Sequence, residues 1–127
     1  VLQMPHNASS IHSFGREARR LVEDARLKVA ALVNAPAAQV IFNSGATEGN
    51  NTVLKFFKEE RVLISAIEHP SVSEVLSSPT KIPVTRDGVV DLHALEKLLK
   101  EKKTSLVCVM YANNETGAVQ PIRAISA

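Results

Sequence analysis

Apolar residues recur along this chain at two different spacings, and the alternation between them outlines a fold. From Phe14 onward, Phe14, Ala18, Leu21, Val22, Ala25, Val29, Leu32 and Val33 keep a helical period, with Arg16, Arg20, Glu23 and Asp24 off the stripe. Ser13 stands where an N-cap would, and Asn34 followed by Pro36 ends the run. Val40-Ile41-Phe42 is short and wholly apolar, the pattern of a buried strand. Helix and strand then alternate. A helix is predicted from Gly45 to Phe57, a strand at Val62-Leu63-Ile64 and a short helix from Pro70 to Leu76. A strand from Lys81 to Thr85 leads into a turn at Asp87-Gly88. Asp91 caps a helix whose face is Leu92, Leu95, Leu98 and Leu99, and Leu106 to Met110 is a further buried strand. Strands apolar on both faces and separated by helices predict an α/β fold, with three α/β/α layers and a mainly parallel sheet. Residues 1–7 form no complete element, and no repeat or linker divides residues 1–127, which read as a single domain.

Composition narrows the function classes. With 45% hydrophobic and 22% charged residues, the chain is neither a disordered tail nor a collagen-like repeat. A net charge of +2 is too small to be a nucleic-acid footprint, so no direct nucleic-acid partner is expected. A lone Cys108 excludes an intramolecular disulfide scaffold. No apolar run approaches the ~20 residues of a membrane span, and no signal-peptide pattern opens the chain, so the expectation is no membrane and a cytoplasmic location.

In an open parallel sheet, ligands bind beyond the carboxyl ends of the strands. Three segments in that position carry candidate chemistry. Asn43-Ser44-Gly45-Ala46-Thr47-Glu48 opens a helix, where outward N–H groups, the helix dipole and the Thr47 hydroxyl suit a phosphate. It is equally an ordinary helix start capped by Ser44, and no Walker lysine follows it. Glu68-His69-Pro70 sets a histidine at a helix start, either as a solvated cap or to stack on a planar ligand and move protons. Tyr111-Ala112-Asn113-Asn114-Glu115-Thr116-Gly117 offers two adjacent amides, one to grip a ligand and one to tie the loop, or a plain Asn/Gly turn. The four histidines share no metal-ligand spacing with a carboxylate or cysteine, so no metal site is expected.

Taken together in one order, Ser44-Gly45-Ala46-Thr47-Glu48, Glu68-His69-Pro70 and Asn113-Asn114-Glu115-Thr116-Gly117 resemble the cysteine desulfurases of the class V aminotransferase group. Asn7-Ala8-Ser9-Ser10-Ile11-His12, Gly15-Arg16, Asp87 to Leu92 and Gln120-Pro121-Ile122 extend the resemblance over essentially the whole chain. His6 and Ala8 stand where that family has Gly and Pro. The resemblance implies part of the large domain of a pyridoxal-phosphate-dependent transferase of fold type I. It implies that Ala46 and Thr47 bind the cofactor phosphate and that Asn114 bonds the cofactor's phenolic oxygen. His69 would stack on the pyridine ring and serve in acid/base steps. The implied reaction turns L-cysteine into L-alanine and passes sulfur to an enzyme cysteine as persulfide, for iron–sulfur cluster assembly or tRNA thiolation. A homodimer or a complementing C-terminal chain, and an iron–sulfur scaffold or other sulfur acceptor protein, are the implied partners.

The family's Schiff-base lysine, its aspartate at the pyridine nitrogen and its catalytic cysteine loop match nothing here. Lys28, Lys97, Lys100, Lys102 and Lys103 fall on predicted helices, Lys55 and Lys58 late in the second one, and Lys81 at the start of a strand. Cys108 is expected to be a buried structural thiol. The expectation is a fragment, from a split, decayed or truncated gene, that is inactive alone. A selenocysteine lyase or another class V aminotransferase is an alternative parent. A non-catalytic module binding a partner chain or a phosphorylated ligand is the alternative of a different kind, since an open sheet edge invites pairing.

Overall fold

The computed structural model describes residues 7–127. Residues 1–6, including the His6 departure and most of the expected leading tail, lie outside the described residues. The chain forms two compact units, one ending at Phe42 and one running from Asn43 to Ala127.

The first unit is built on α1 (Ser13–Leu32). Its N-cap is His12, whose Nδ1 accepts from the Gly15 amide at 3.3 Å, so Ser13 is the first helical residue rather than the cap. A Cβ on Gly15 would fall 2.3 Å from the Ser10 carbonyl oxygen, so the turn before the helix closes only over glycine. The other end is a Schellman closure. Asn34, at φ 52°, bonds back to Ala31, and the Ala35 amide reaches the Ala30 carbonyl at 2.9 Å. The predicted apolar stripe is present but largely uncovered. Phe14, Leu32 and Val33 of that stripe are each more than half exposed, and only Gly15 and Ala30 of the helix are buried.

Residues 40–42 are not a strand, against the expectation from their apolar run. The Val40 amide bonds to the Ala37 carbonyl at the end of a short 3-10 turn (Ala37–Gln39), and its own carbonyl accepts from the Arg26 guanidinium. That guanidinium also lies 5.0 Å over the Phe42 ring. The groups a ladder would need are thus used locally, and Ile41 stays 81% exposed.

The second unit is a three-layer sandwich. Its elements are α2 (Ala46–Phe56), β1 (Val62–Ser65), α3 (Pro70–Ser73), β2 (Thr80–Ile82), α4 (Leu92–Glu101), β3 (Leu106–Cys108) and α5 (Ile122–Ile125). The sheet has the order β2-β1-β3, all parallel, with Leu63 facing Thr80 on one side and Val107 on the other. Successive β1 side chains seed opposite cores. Val62 and Ile64 pack with Leu54 of α2 and Val72 of α3. Leu63 packs with Ile82, Val90 and Leu95 of α4, with Ile125 of α5 alongside. The chain leaves β1 for one neighbour and returns to the other, so strand order reverses between β1 and β3.

Three elements are shorter than their apolar runs predict, each for a hydrogen-bonding reason. β2 stops before Pro83, which has no amide, and Val84 turns into an antiparallel bridge with Val90 across the Asp87-Gly88 turn. β3 stops at Cys108, because the Met110 amide is taken by a side-chain carboxylate, that of Glu68. α3 is one turn, after which the Val75 amide bonds back to Val72 only at 3.5 Å. Asp91 caps α4 as predicted, its Oδ1 accepting from the Ala94 amide at 3.0 Å. Arg61 closes the far end of α4 by donating to the Leu98 and Lys102 carbonyls.

Leu54 is 1% exposed and Leu92 is 41% exposed. Leu54→Ala is expected to cost about 2–5 kcal/mol, read as a lower denaturation midpoint at constant slope. Leu92→Ala is expected to cost no more than about 1 kcal/mol. Equal midpoint shifts for the two would contradict this core.

Candidate functional site

The three predicted strand-end segments meet around one cleft of the second unit, about 610 Å³ in volume. That lies within the roughly 300–1,000 Å³ of small-molecule sites, so the space suits a cofactor-sized ligand. Ala46 and Thr47 line it from α2, His69 from the start of α3, and Asn114 from the loop beyond β3. All four residues singled out from the sequence are therefore brought together.

The α2 wall is a set of donors. Ser44 is not the N-cap; Gly45 is, at φ 155° and ψ 178°, a region essentially restricted to glycine. An Asn43 Oδ1 bond to the Gly45 amide, at 3.0 Å, holds the turn. Ser44 instead donates its amide and hydroxyl to the Glu48 carboxylate, at 2.7 and 2.6 Å. Those two bonds, the hydroxyl's first, hold the Glu48 carboxyl below its ordinary range. The Ala46 and Thr47 amides and the Thr47 hydroxyl donate to nothing among the described residues. An eleven-residue helix thus presents bare N–H groups and a hydroxyl at its positive end.

His69 caps α3 and also lines the cleft. Its Nδ1 accepts the Ser71 amide at 3.0 Å, capping α3, and lies 2.9 Å from the Ser71 hydroxyl. Asn50 of α2 donates to that hydroxyl at 2.9 Å. With Nδ1 occupied as an acceptor, the ring proton is assigned to Nε2.

The two adjacent asparagines are placed differently. Asn113 is 7% exposed and fully engaged. It donates to the Ile67 carbonyl at 3.0 Å and accepts from the Glu115 and Thr116 amides at 2.9 and 2.8 Å. Asn114 is exposed in the cleft.

Sequence reasoning missed several supports. Glu68 accepts from the buried Ser65 hydroxyl at 2.6 Å and from the Met110 amide at 2.7 Å. Gln120, 2% exposed, accepts from the Val90 amide and donates to the Gly88 carbonyl, both at 2.8 Å. A hydroxyl three residues before a carboxylate at a strand end was a usable signal for Glu68. Gln120 has partners some thirty residues away, so nothing local marks it.

Among the described residues no lysine lines the cleft. Lys58 follows α2 and pairs with Glu59, Lys81 is the middle residue of β2, and Lys102 and Lys103 lie past the end of α4. Among the described residues no three metal-ligating side chains cluster. No helix there is long and apolar enough to cross a membrane.

Comparison with known proteins follows the same lines. The pattern of the family described as Aminotransferase class-V matches residues 2–127. The chain is 42% identical to cysteine desulfurase IscS 1 of Archaeoglobus fulgidus, over 94% of this chain and 35% of that protein. It is 40% identical to the mitochondrial cysteine desulfurase of Saccharomyces cerevisiae, over 97% of this chain and 27% of that one. The crystal structure of a NifS-like protein from Rickettsia africae superposes with a TM-score of 0.89 at 36% identity, over 98% of this chain and 37% of that one. The chain spans about a third of the length of the curated relatives it matches.

Cys108 is half-buried against the Leu54 cluster. Burial first, and then the nearby Glu68 charge, push its thiol up to about 11 from an ordinary 9.0. At pH 8 its alkylation is expected to be about 100-fold slower than that of a free thiol, because the thiolate is the reactive form. The rate should climb as pH rises toward 11. The unfolded chain ionises first, so the stability contributed by the neutral thiol is full below pH 9.0 and is lost as pH rises through about 11. Alkylation at free-thiol speed at pH 8 would contradict this placement.

Proposed function

We propose, from the premise that this chain belongs to the class-V aminotransferase family, that the Asn43–Ala127 unit holds the phosphate and ring of pyridoxal 5′-phosphate. The parent activity is that of a cysteine desulfurase, and residues 1–127 belong to the cofactor-binding large domain. The observation that carries the reading is the convergence of Ala46, Thr47, His69 and Asn114 on one cleft.

The residues present suit the holding of that group. A phosphate is an acceptor, and the α2 terminus offers amides and a hydroxyl that are otherwise unpartnered. A Cβ built on Gly45 would meet nothing within 4 Å, so the turn leaves open space beside those donors. Glu48, the nearest carboxylate in sequence, is engaged by Ser44 rather than left to compete. When bound, pyridoxal phosphate supplies an electron sink.

The chain's own side chains do the rest. Ala46 and Thr47 would hold the phosphate, His69 would cover the ring and the Asn114 amide would bond the phenolic oxygen. His69 holds one proton at Nε2, with Nδ1 kept as acceptor by Ser71. It therefore exchanges protons with a substrate through Nε2 alone. Covalent attachment requires a lysine from outside this cleft. Cys108, packed into β3 with its thiol held neutral, is not the sulfur-accepting cysteine.

The substrate is L-cysteine, the products L-alanine and an enzyme persulfide, and the sulfur goes to an acceptor protein for iron–sulfur cluster assembly or tRNA thiolation. The remaining machinery comes from a homodimeric enzyme or a complementing chain. The R. africae match is in the same family fold, which supports the reading without supplying the activity.

Titrating the 127-residue chain with pyridoxal 5′-phosphate is expected to show saturable binding at one site. Thr47→Val is expected to weaken that binding by about 10- to 100-fold, the value of a hydrogen bond to a charged group. Unchanged affinity in Thr47→Val would overturn the phosphate assignment. Alanine and sulfide release from L-cysteine by the 127-residue chain alone is expected to stay at background, and turnover would overturn the need for an outside lysine.

A further inference from the structure

Each cleft residue beyond a strand end is preceded by a residue that does not face the cleft. Glu68 precedes His69, and Asn113 precedes Asn114. Neither Glu68 nor Asn113 lines the cleft, yet both join its two walls. Glu68 reaches from the loop after β1 to the Met110 amide after β3, at 2.7 Å. Asn113 reaches back from the second loop to the Ile67 carbonyl of the first, at 3.0 Å. The last ladder pair between these strands is Ile64 with Cys108. Beyond it the sheet no longer fixes the spacing of the two segments, and these two side-chain bonds take over.

The brace is itself anchored at both ends. Glu68 also accepts from the hydroxyl of Ser65, a residue 1% exposed at the end of the central strand. Asn113 gathers the Glu115 and Thr116 amides onto its Oδ1, so the turn beyond Asn114 is wound around it. Removing the Glu68 oxygen leaves a buried hydroxyl and a half-buried amide without an acceptor, and one of the two ties between the loops is lost.

We propose that Glu68 and Asn113 are positioning residues that set the separation of His69 and Asn114, and so make the cleft selective for a planar ring attached to a phosphate over phosphate alone. The inference rests on the cofactor reading above for its ligand and on the two cross-loop bonds for its geometry. The phosphate donors sit on α2, to which neither side chain hydrogen-bonds among the described residues. The brace therefore acts on ring recognition and leaves the anion subsite intact.

The test compares wild type, Glu68→Ala and Glu68→Gln in the 127-residue chain, with pyridoxal 5′-phosphate and inorganic phosphate as separate probes. Glutamine keeps an acceptor oxygen and serves as the conservative rescue. Glu68→Ala is expected to lose about tenfold or more in pyridoxal-phosphate affinity while phosphate affinity stays within about twofold, and Glu68→Gln to follow wild type. Amide exchange at Glu115 and Thr116, which do not touch Glu68, is expected to quicken about tenfold in Glu68→Ala only. Equal loss of both ligands, or pyridoxal-phosphate affinity unchanged in Glu68→Ala, would overturn the proposal. Absence of pyridoxal-phosphate binding in wild type would sink the cofactor reading instead. The brace then stands or falls on the exchange at Glu115 and Thr116. Should Glu68→Ala not fold, Asn113→Asp removes the donor to Ile67 while keeping the Oδ1 acceptor, with the same expected outcomes.

Discussion

The second unit is organised around the burial of one four-residue strand on both faces at once. Val62, Leu63, Ile64 and Ser65 are all buried, and their alternation sends Val62 and Ile64 to one core and Leu63 to the other. A strand so placed tolerates no polar side chain along its length, and the first one comes at its end. Ser65 is 1% exposed, and its hydroxyl is satisfied by Glu68. The requirement that this hydroxyl find a partner brings a carboxylate to the carboxyl end of the sheet. There, at the reversal of strand order, open α/β sheets bind their ligands.

From that carboxylate the geometry of the cleft propagates outward. Because Glu68 takes the Met110 amide, β3 cannot continue alongside β1, and the chain beyond it is free to bend over the cleft. Asn113 then absorbs three donors on one oxygen and returns its own amide to Ile67. Gln120 fastens the far end of the same loop to the Asp87-Gly88 turn. The loop is thus irregular in backbone but has few free polar groups behind the cleft. Its polar groups are satisfied as a helix's are, by hydrogen bonds within the chain.

The sequence made much of this legible, in proportion to how local each cause was. Asp91, Asn34 and Pro36 act within a turn or two, and their caps and stops are where the pattern predicts. The helical stripes and the Leu63 run likewise depend on neighbouring residues. Val40-Ile41-Phe42 misled because an apolar triplet is a strand only if a partner is available, and its carbonyl answers to Arg26, fourteen residues earlier. The stripe on α1 identified a helix correctly but carried no information on whether a neighbour covers it. At the cleft, the segments that hold Ala46, Thr47 and His69 were readable because they open helices, and that of Asn114 because it follows a strand, while the choice of Ala46 and Asn114 within them came from the resemblance. Glu68 and Asn113 were visible as residue types but not as a brace, since their partners lie 42 and 46 residues away.

At the cleft, α2 and the His69 imidazole belong to one hydrogen-bonded chain. Asn50 stands one turn inside α2, whose first turn carries the anion donors, and it grips the hydroxyl of Ser71. Ser71 in turn occupies Nδ1 of His69 through its amide and lies against it through its hydroxyl. A displacement of α2 is therefore felt at the imidazole, through two hydrogen bonds and no intervening flexible chain. The same helix that would receive the negative charge of a phosphate helps decide which ring nitrogen carries the proton. An anion seated at its N-terminus would stabilise α2 through the dipole, and with it the arrangement that leaves Nε2 as the proton-bearing atom. Anion binding and proton placement would in this way be properties of one hydrogen-bonded unit rather than of separate residues.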